Sequence, residues 1–269
     1  MERSMSQKLL AEFVGTFALI FLGAGAIIHT QGSNLVAIAF AHGLAIAVMV
    51  SAVGHVSGGH FNPAVTIGAW VTQKIDSMNA SAYIVAQLAG GAAAAALLRA
   101  AMPAAIWKGN GINLGVPAVA SQISTGQAVL IEAILTFFLV WVIFATAIDP
   151  KGSFGVIAGL AIGLTVTMGM LMGTAFTGAA MNPARWFGPA IVGGFYKNWW
   201  VWIVGPIAGG IIAASLYDTV ILRARGGAAA EEAPHEWGAH GEDKDSITGA
   251  EKDSITGGDE GLGPPGYGA

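Results

Sequence analysis

Ser57-Gly58-Gly59-His60-Phe61-Asn62-Pro63-Ala64-Val65 returns 120 residues later as Thr177-Gly178-Ala179-Ala180-Met181-Asn182-Pro183-Ala184-Arg185. The same offset relates Glu12 to Glu132, Thr16 to Thr136, Phe17 to Phe137 and Gly43-Leu44 to Gly163-Leu164, with no insertion from Glu12 through Ala64. The chain is two copies of one half, each centred on Asn-Pro-Ala.

Helix-end chemistry says what each triplet does. Asparagine is a good N-cap, and proline suits the first helical position, where its missing N–H would be unpaired anyway. A short helix is expected to begin at Asn62 and another at Asn182, the second running through Arg185, Trp186 and Phe187. Each presents orphan N–H groups and about half a positive charge at its start. An asparagine oxygen used as the cap leaves its NH₂ free to donate outward. Alone, one Asn-Pro-Ala reads best as an ordinary capped surface helix. Two in register inside duplicated apolar halves do not.

Over 269 residues the chain is 54% hydrophobic and 10% charged, with mean hydropathy +0.64, which points to membrane spans and not to a soluble domain. Thirty-nine glycines suit membrane helices packed through small residues, and the lack of cysteine excludes disulfides and thiolate metal sites. The formal charge of −4 conceals two parts. Ten of the sixteen acidic residues fall in 231–260, and the first 225 residues carry ten basic against six acidic, a net of +4. Nothing suggests nucleic-acid binding. Residues 226–269 are acidic and rich in Gly and Pro, with Lys-Asp-Ser-Ile-Thr-Gly at both 244–249 and 252–257, a composition expected to be disordered. The apolar part is thus 1–225, with repeats at about 8–101 and 126–222.

Six spans are expected, at about 9–28, 35–53, 80–101, 129–148, 154–173 and 199–222. Ala24-Gly25-Ala26 resembles a signal-peptidase site, but cleavage is discounted because the segment has a full-length counterpart at 129–148. Residues 55–70 are too short and too glycine-rich to span. Irregular backbone at membrane depth is tolerated only inside protein or beside a watery cavity. An odd number of spans per half turns the second half upside down, giving an all-α membrane protein of six transmembrane helices, two re-entrant half-helices and two inverted repeats. Arg3, Lys8, Lys74, Lys151, Arg223 and Arg225 flank one face, against Arg99, Lys108 and Lys197 on the other, so both termini are expected in the cytoplasm. The long connection 102–125 is expected over the outer face.

Paired Asn-Pro-Ala, the second followed by Arg185, with Glu12 and Glu132 in the first span of each half, resembles the aquaporin (major intrinsic protein) family over about residues 8–222. The resemblance implies a right-handed bundle, half-helices meeting at the pore centre, Asn62 and Asn182 donating to a passing water, and a homotetramer with one pore per protomer. It implies a constriction of His42, Met170, Ala179 and Arg185, found at their family spacings from the triplets. Water-selective members typically have Phe and His at the first two positions and glycerol facilitators Trp and Gly. His42 with Met170 matches neither and is closest to the plant vacuolar-membrane group. That group makes a vacuolar-type membrane a candidate location beside the cell membrane. Trp186 stands where water channels carry a small residue and glycerol facilitators an aspartate, which argues against a glycerol specialist.

Apart from the resemblance, each residue has a bland reading. Arg185 sits in the first turn of its helix, where the dipole disfavours a cation by a few tenths of a kcal/mol to about 1. Stability does not explain it and a pore does, unless its head reaches surface carbonyls. A histidine within a span, as His42, is a functional candidate. The alternative is a ring tied to a carbonyl. If it lines the pore, it is expected to offer an N–H opposite Arg185, with Met170 as an apolar wall and Ala179 leaving space. Glu12 and Glu132 read as structural carboxylates holding the loop N–H groups, against a proton relay. His60 is expected beside its triplet as loop support and His55 in the cytoplasmic vestibule, with no metal between them and no cofactor. A passive water channel that excludes ions and protons leads. A broader facilitator for ammonia, glycerol, urea or peroxide, and a secondary transporter built from inverted repeats, are the competing readings.

Overall fold

The computed structural model describes residues 3–152 and 157–223, and all regular structure among them is helical. Six helices are long and apolar enough to cross a membrane: α1 (Met5–Thr30), α2 (Leu35–Ser57), α4 (Ser77–Ala101), α6 (Thr125–Ile143), α7 (Ala158–Thr177) and α9 (Val201–Leu216). Wider π-helical turns extend α6 through Ile148 and α9 through Arg223. Two short helices start at the triplets, α3 (Pro63–Val71) and α8 (Pro183–Gly193), and α5 (Ala104–Lys108) lies in the central connection. The described part of the expected fifth span is helical from Ala158 and runs four residues past its expected end, to Thr177. Its expected first turn falls mainly at 153–156, outside the described residues, as does the expected disordered segment 226–269.

The duplication reaches into the caps. Ser4 with Gln7 and Ser124 with Gln127 form matching capping boxes at the starts of α1 and α6, each satisfying two orphan N–H groups. Gly58 and Gly178 end α2 and α7 in the left-handed conformation, φ 91° and 78°, where a Cβ would be strained. α1 packs on α2 and α4, and α6 packs in the same way on α7 and α9. The short helices cross over: α3 lies chiefly on α9, and α8 on α4. On the axis between halves α2 meets α7 through Gly43 and Gly163, each so close to the other's carbonyl that a Cβ would overlap it.

The offset changes by one residue beyond the triplets. Gly90 packs on the Phe13 carbonyl and Gly209 on the Ala133 carbonyl, so 90 matches 209 while 13 matches 133. The glycine pairs Gly90-Gly91 and Gly209-Gly210 permit close helix packing, and their sequence leaves the partner open. The structure spends them inside the protomer, under α1, α3, α6 and α8, because the helices there approach too closely for any side chain.

Gly43→Val places a branched side chain where the Gly163 carbonyl and the Thr167 hydroxyl already stand. Overpacking of this kind costs about 1–3 kcal/mol. The thermal midpoint of Gly43→Val in detergent should fall by several degrees. Leu44→Val, half exposed on the same helix, should barely move. Equal midpoints for the two variants would refute the seam.

Candidate functional site

Between the end of α2 and Asn62, and again between α7 and Asn182, four residues lie outside any helix, and only the first of each, Gly58 or Gly178, donates its N–H back to a carbonyl of the helix it ends. A buried glutamate serves each loop. Glu12 Oε1 accepts from the Ser57 hydroxyl (2.7 Å) and the His60 N–H (2.9 Å), and Oε2 accepts from the Phe61 N–H (2.7 Å) and the Gln87 amide (2.7 Å). Glu132 repeats this one half later. Its Oε1 accepts from the Thr177 hydroxyl (2.7 Å) and the Ala180 N–H (2.9 Å), its Oε2 from the Met181 N–H (2.7 Å). Both carboxylates are fully buried with three or four donors each, two of them loop N–H groups, so they hold backbone.

The loops are kinked to present carbonyls. Phe61 and Met181 have φ 49° and 51°, and Ala179 has φ 43° where the first half has Gly59 at 65°. Left-handed backbone costs a non-glycine residue about 1–2 kcal/mol, which the carboxylate clamps offset. The outcome is a reciprocal tie. Asn62 Nδ2 donates to the Met181 carbonyl at 2.8 Å, and Asn182 Nδ2 donates to the Phe61 carbonyl at 2.9 Å. Each asparagine oxygen meanwhile caps its own helix, taking the N–H of Ala64 or of Ala184 and Arg185. Pro63 and Pro183 fill the first helical positions, as expected. The amide groups are less free than sequence implied: one hydrogen of each NH₂ is committed to the opposite loop, and one remains.

His42, Met170, Ala179 and Arg185 are all almost completely buried. His42 Nδ1 lies 2.8 Å from the Ile38 carbonyl, which can only accept, so Nδ1 carries the proton. In the neutral ring Nε2 is then a bare acceptor, and the N–H expected there from sequence is on the other side of the ring. Nε2 has no protein partner, and neither do Nε and Nη2 of Arg185. The guanidinium is oriented by one bond, from Nη1 to the Gly115 carbonyl at 3.1 Å, and lies within electrostatic range of both His42 and Glu132. Asn113, Leu114 and Gly115 are successively left-handed, which turns that carbonyl inward, and Gly115 packs on Ala24 too tightly for a side chain. The connection expected over the outer face therefore dips down to Arg185. Three unpartnered polar atoms, one acceptor and two donors, thus lie buried on these two side chains, where leaving each unsatisfied costs about 1–3 kcal/mol.

Trp186 acquires a structural account. The first half has bulky His60 and small Thr66, joined at 3.0 Å, with His60 edge-on to Tyr83. The second half has small Ala180 and bulky Trp186, the latter stacked on Trp202 at 6.3 Å. Size is exchanged within the pair, so the second loop is propped by an apolar cluster and the first by polar contacts. His60 lies beside its triplet, its ring joined to Thr66 and edge-on to Tyr83, whereas His55 is exposed in the last turn of α2.

Sequence reasoning passed over Gln87, Tyr83, Trp202 and Gly115. Gln87 bridges Glu12 and the Thr66 hydroxyl (2.9 Å), and a lone amide in an apolar span was a readable signal. Tyr83 and Trp202 donate to the carbonyls of Ser57 (2.9 Å) and Thr177 (3.0 Å). Gly115 acts through its backbone, and no residue code announces that.

Residues 1–217 match the model of a protein family described as Major intrinsic protein. The chain is 47% identical over 229 residues to the probable aquaporin TIP3-2 of Arabidopsis thaliana, covering 79% of this chain and 83% of the relative. Aquaporin TIP1-2 of Zea mays is 43% identical, covering 82% and 88%, and aquaporin-4 of Mus musculus 40% identical, covering 78% and 66%. The aquaglyceroporin from Plasmodium falciparum superposes with a TM-score of 0.73 at 28% identity, over 82% of this chain and 98% of that one.

Replacing either glutamate by glutamine swaps an accepting oxygen for an NH₂ facing other donors, at about 1–3 kcal/mol for each buried group left unpaired. Glu12→Gln and Glu132→Gln should each reduce the monodisperse yield on size exclusion, while the folded fraction keeps its flux. Normal yield with altered coupling to protons or sodium would instead mark a transporter.

Proposed function

Because this chain belongs to the major intrinsic protein family, we propose that it is a passive water channel, an integral membrane protein and not an enzyme. The reading is carried by the reciprocal tie between the two triplets: it leaves one hydrogen on each of Asn62 and Asn182 where the half-helices meet. Those two hydrogens donate to the oxygen of a passing water, which must then point both of its own protons away. Two helix starts, each worth about half a positive charge, face the same point and oppose cations and a proton-conducting file of water. Arg185 adds a fixed charge at the constriction formed with His42, Met170 and Ala179. Water replaces the missing partners of His42 Nε2 and of Arg185 Nε and Nη2, and no side chain need titrate.

The same reading divides the protein into a channel domain, 1–225, and a separate segment, 226–269. It places both termini in the cytoplasm on the balance of flanking Lys and Arg, with His55 in the cytoplasmic vestibule. It assembles four chains with a pore in each, in a vacuolar-type membrane as the likeness to TIP aquaporins suggests, or in the cell membrane.

A second reading, wider passage of ammonia, urea, glycerol or hydrogen peroxide, is favoured by the bare Nε2 acceptor standing near guanidinium donors. Such a pair serves any small neutral molecule that both accepts and donates, and Ala179 adds little bulk.

In proteoliposomes, osmotic swelling should be fast with a low activation energy. Background swelling would end the water reading, and background uptake of the other solutes the second. Arg185→Val should keep water flux while cation leak rises about tenfold, the factor carried by roughly 1.4 kcal/mol of lost barrier. An unchanged leak would remove Arg185 from the filter.

A further inference from the structure

We propose that Gly23, which carries no polar group, is a specificity-determining positioning residue that sets where the imidazole of His42 stands. The inference rests on the reading of His42 as part of the constriction. A Cβ added at Gly23 would lie 2.5 Å from both Cδ2 and Nε2 of His42 and 2.8 Å from Cε1, so the ring rests directly against the bare backbone of α1. The contact covers the face of the ring beside Nε2, the atom with no protein partner. On its other side Nδ1 is bound to the Ile38 carbonyl one turn back on α2. These contacts divide the work: the hydrogen bond selects the tautomer, and Gly23 sets how far Nε2 recedes from the solute path.

The second half shows that the fold does not require this pairing. The residues 120 positions on, Ile143 and Ile162, are both buried in the apolar core, so glycine with histidine in one half answers isoleucine with isoleucine in the other. The departure from symmetry occurs where the solute is selected. The next residue of α1, Ala24, backs Gly115 and so the carbonyl that orients Arg185, which puts both charged or polar walls of the constriction against one turn of one helix.

The test is a double-mutant cycle of Gly23→Ala and His42→Ala in proteoliposomes, reading permeability per protomer for water and for hydrogen peroxide. Gly23→Ala should lower water permeability by roughly threefold to tenfold, the range implied by a ring held off its preferred rotamer. It should also change the water-to-peroxide ratio, which a loss of folded protein alone would not move. In the His42→Ala background the same substitution should have no effect, since the ring it displaces is gone. If Gly23→Ala alone fails to fold, the double variant should recover its yield, and failure to recover overturns the proposal. An effect of Gly23→Ala that persists without the imidazole, or no effect in its presence, also overturns it. If His42→Ala leaves both permeabilities at wild-type values, the constriction reading itself fails and this inference falls with it.

Discussion

Membrane-depth backbone that is not helical must find its hydrogen bonds inside the protein, and everything distinctive in this fold follows from meeting that need twice. Each half interrupts its helical run for four residues and restarts it at an asparagine. The interruption survives because a carboxylate from the first helix of the same half reaches across and binds its N–H groups. Without Glu12 and Glu132 the loops would have two or three orphan donors apiece in a setting where each costs a few kcal/mol. With them, strained left-handed residues are held in place, and their carbonyls and the asparagine amides face one another.

From that constraint the chemistry of the passage follows by subtraction. The loops consume the acidic groups, the helix ends consume the asparagine oxygens, and the opposite loops consume half of the amide hydrogens. What is left over is small and specific: one hydrogen on each of Asn62 and Asn182, the Nε2 acceptor of His42 and two guanidinium nitrogens of Arg185. In the reading proposed above, selection by such a set depends on the geometry of unpaired groups and not on any titration.

The parts legible in the sequence were those written in local rules. Asn-Pro-Ala announces a helix start whatever surrounds it, and duplication of the triplets carried the topology. The glutamates were readable because a carboxylate in a span needs a reason. Less legible were features created by close approach. The tautomer of His42 depends on the Ile38 carbonyl, the seat of its ring on a glycine in another helix, and the aim of Arg185 on a backbone carbonyl presented by Asn113, Leu114 and Gly115. Trp186 looked anomalous because its counterweight, Ala180, lies six residues away and in the other half the large residue of the pair comes first. The glycine pairs permit close packing, but a small-residue face does not say whether its partner lies within the chain or outside it.

The crossed bonds between Asn62 and Met181 and between Asn182 and Phe61 bear on motion as well as on recognition. A carrier that alternates its access rocks one repeat against the other, and here any such tilt would tear both bonds and pry apart the backbones of α2 and α7 where Gly43 meets Gly163. The two halves are laced at their centre and seamed along their axis. In the channel reading proposed above, a body joined in that way passes solute without rocking, and its rate follows the height of a fixed barrier and not the tempo of a moving wall.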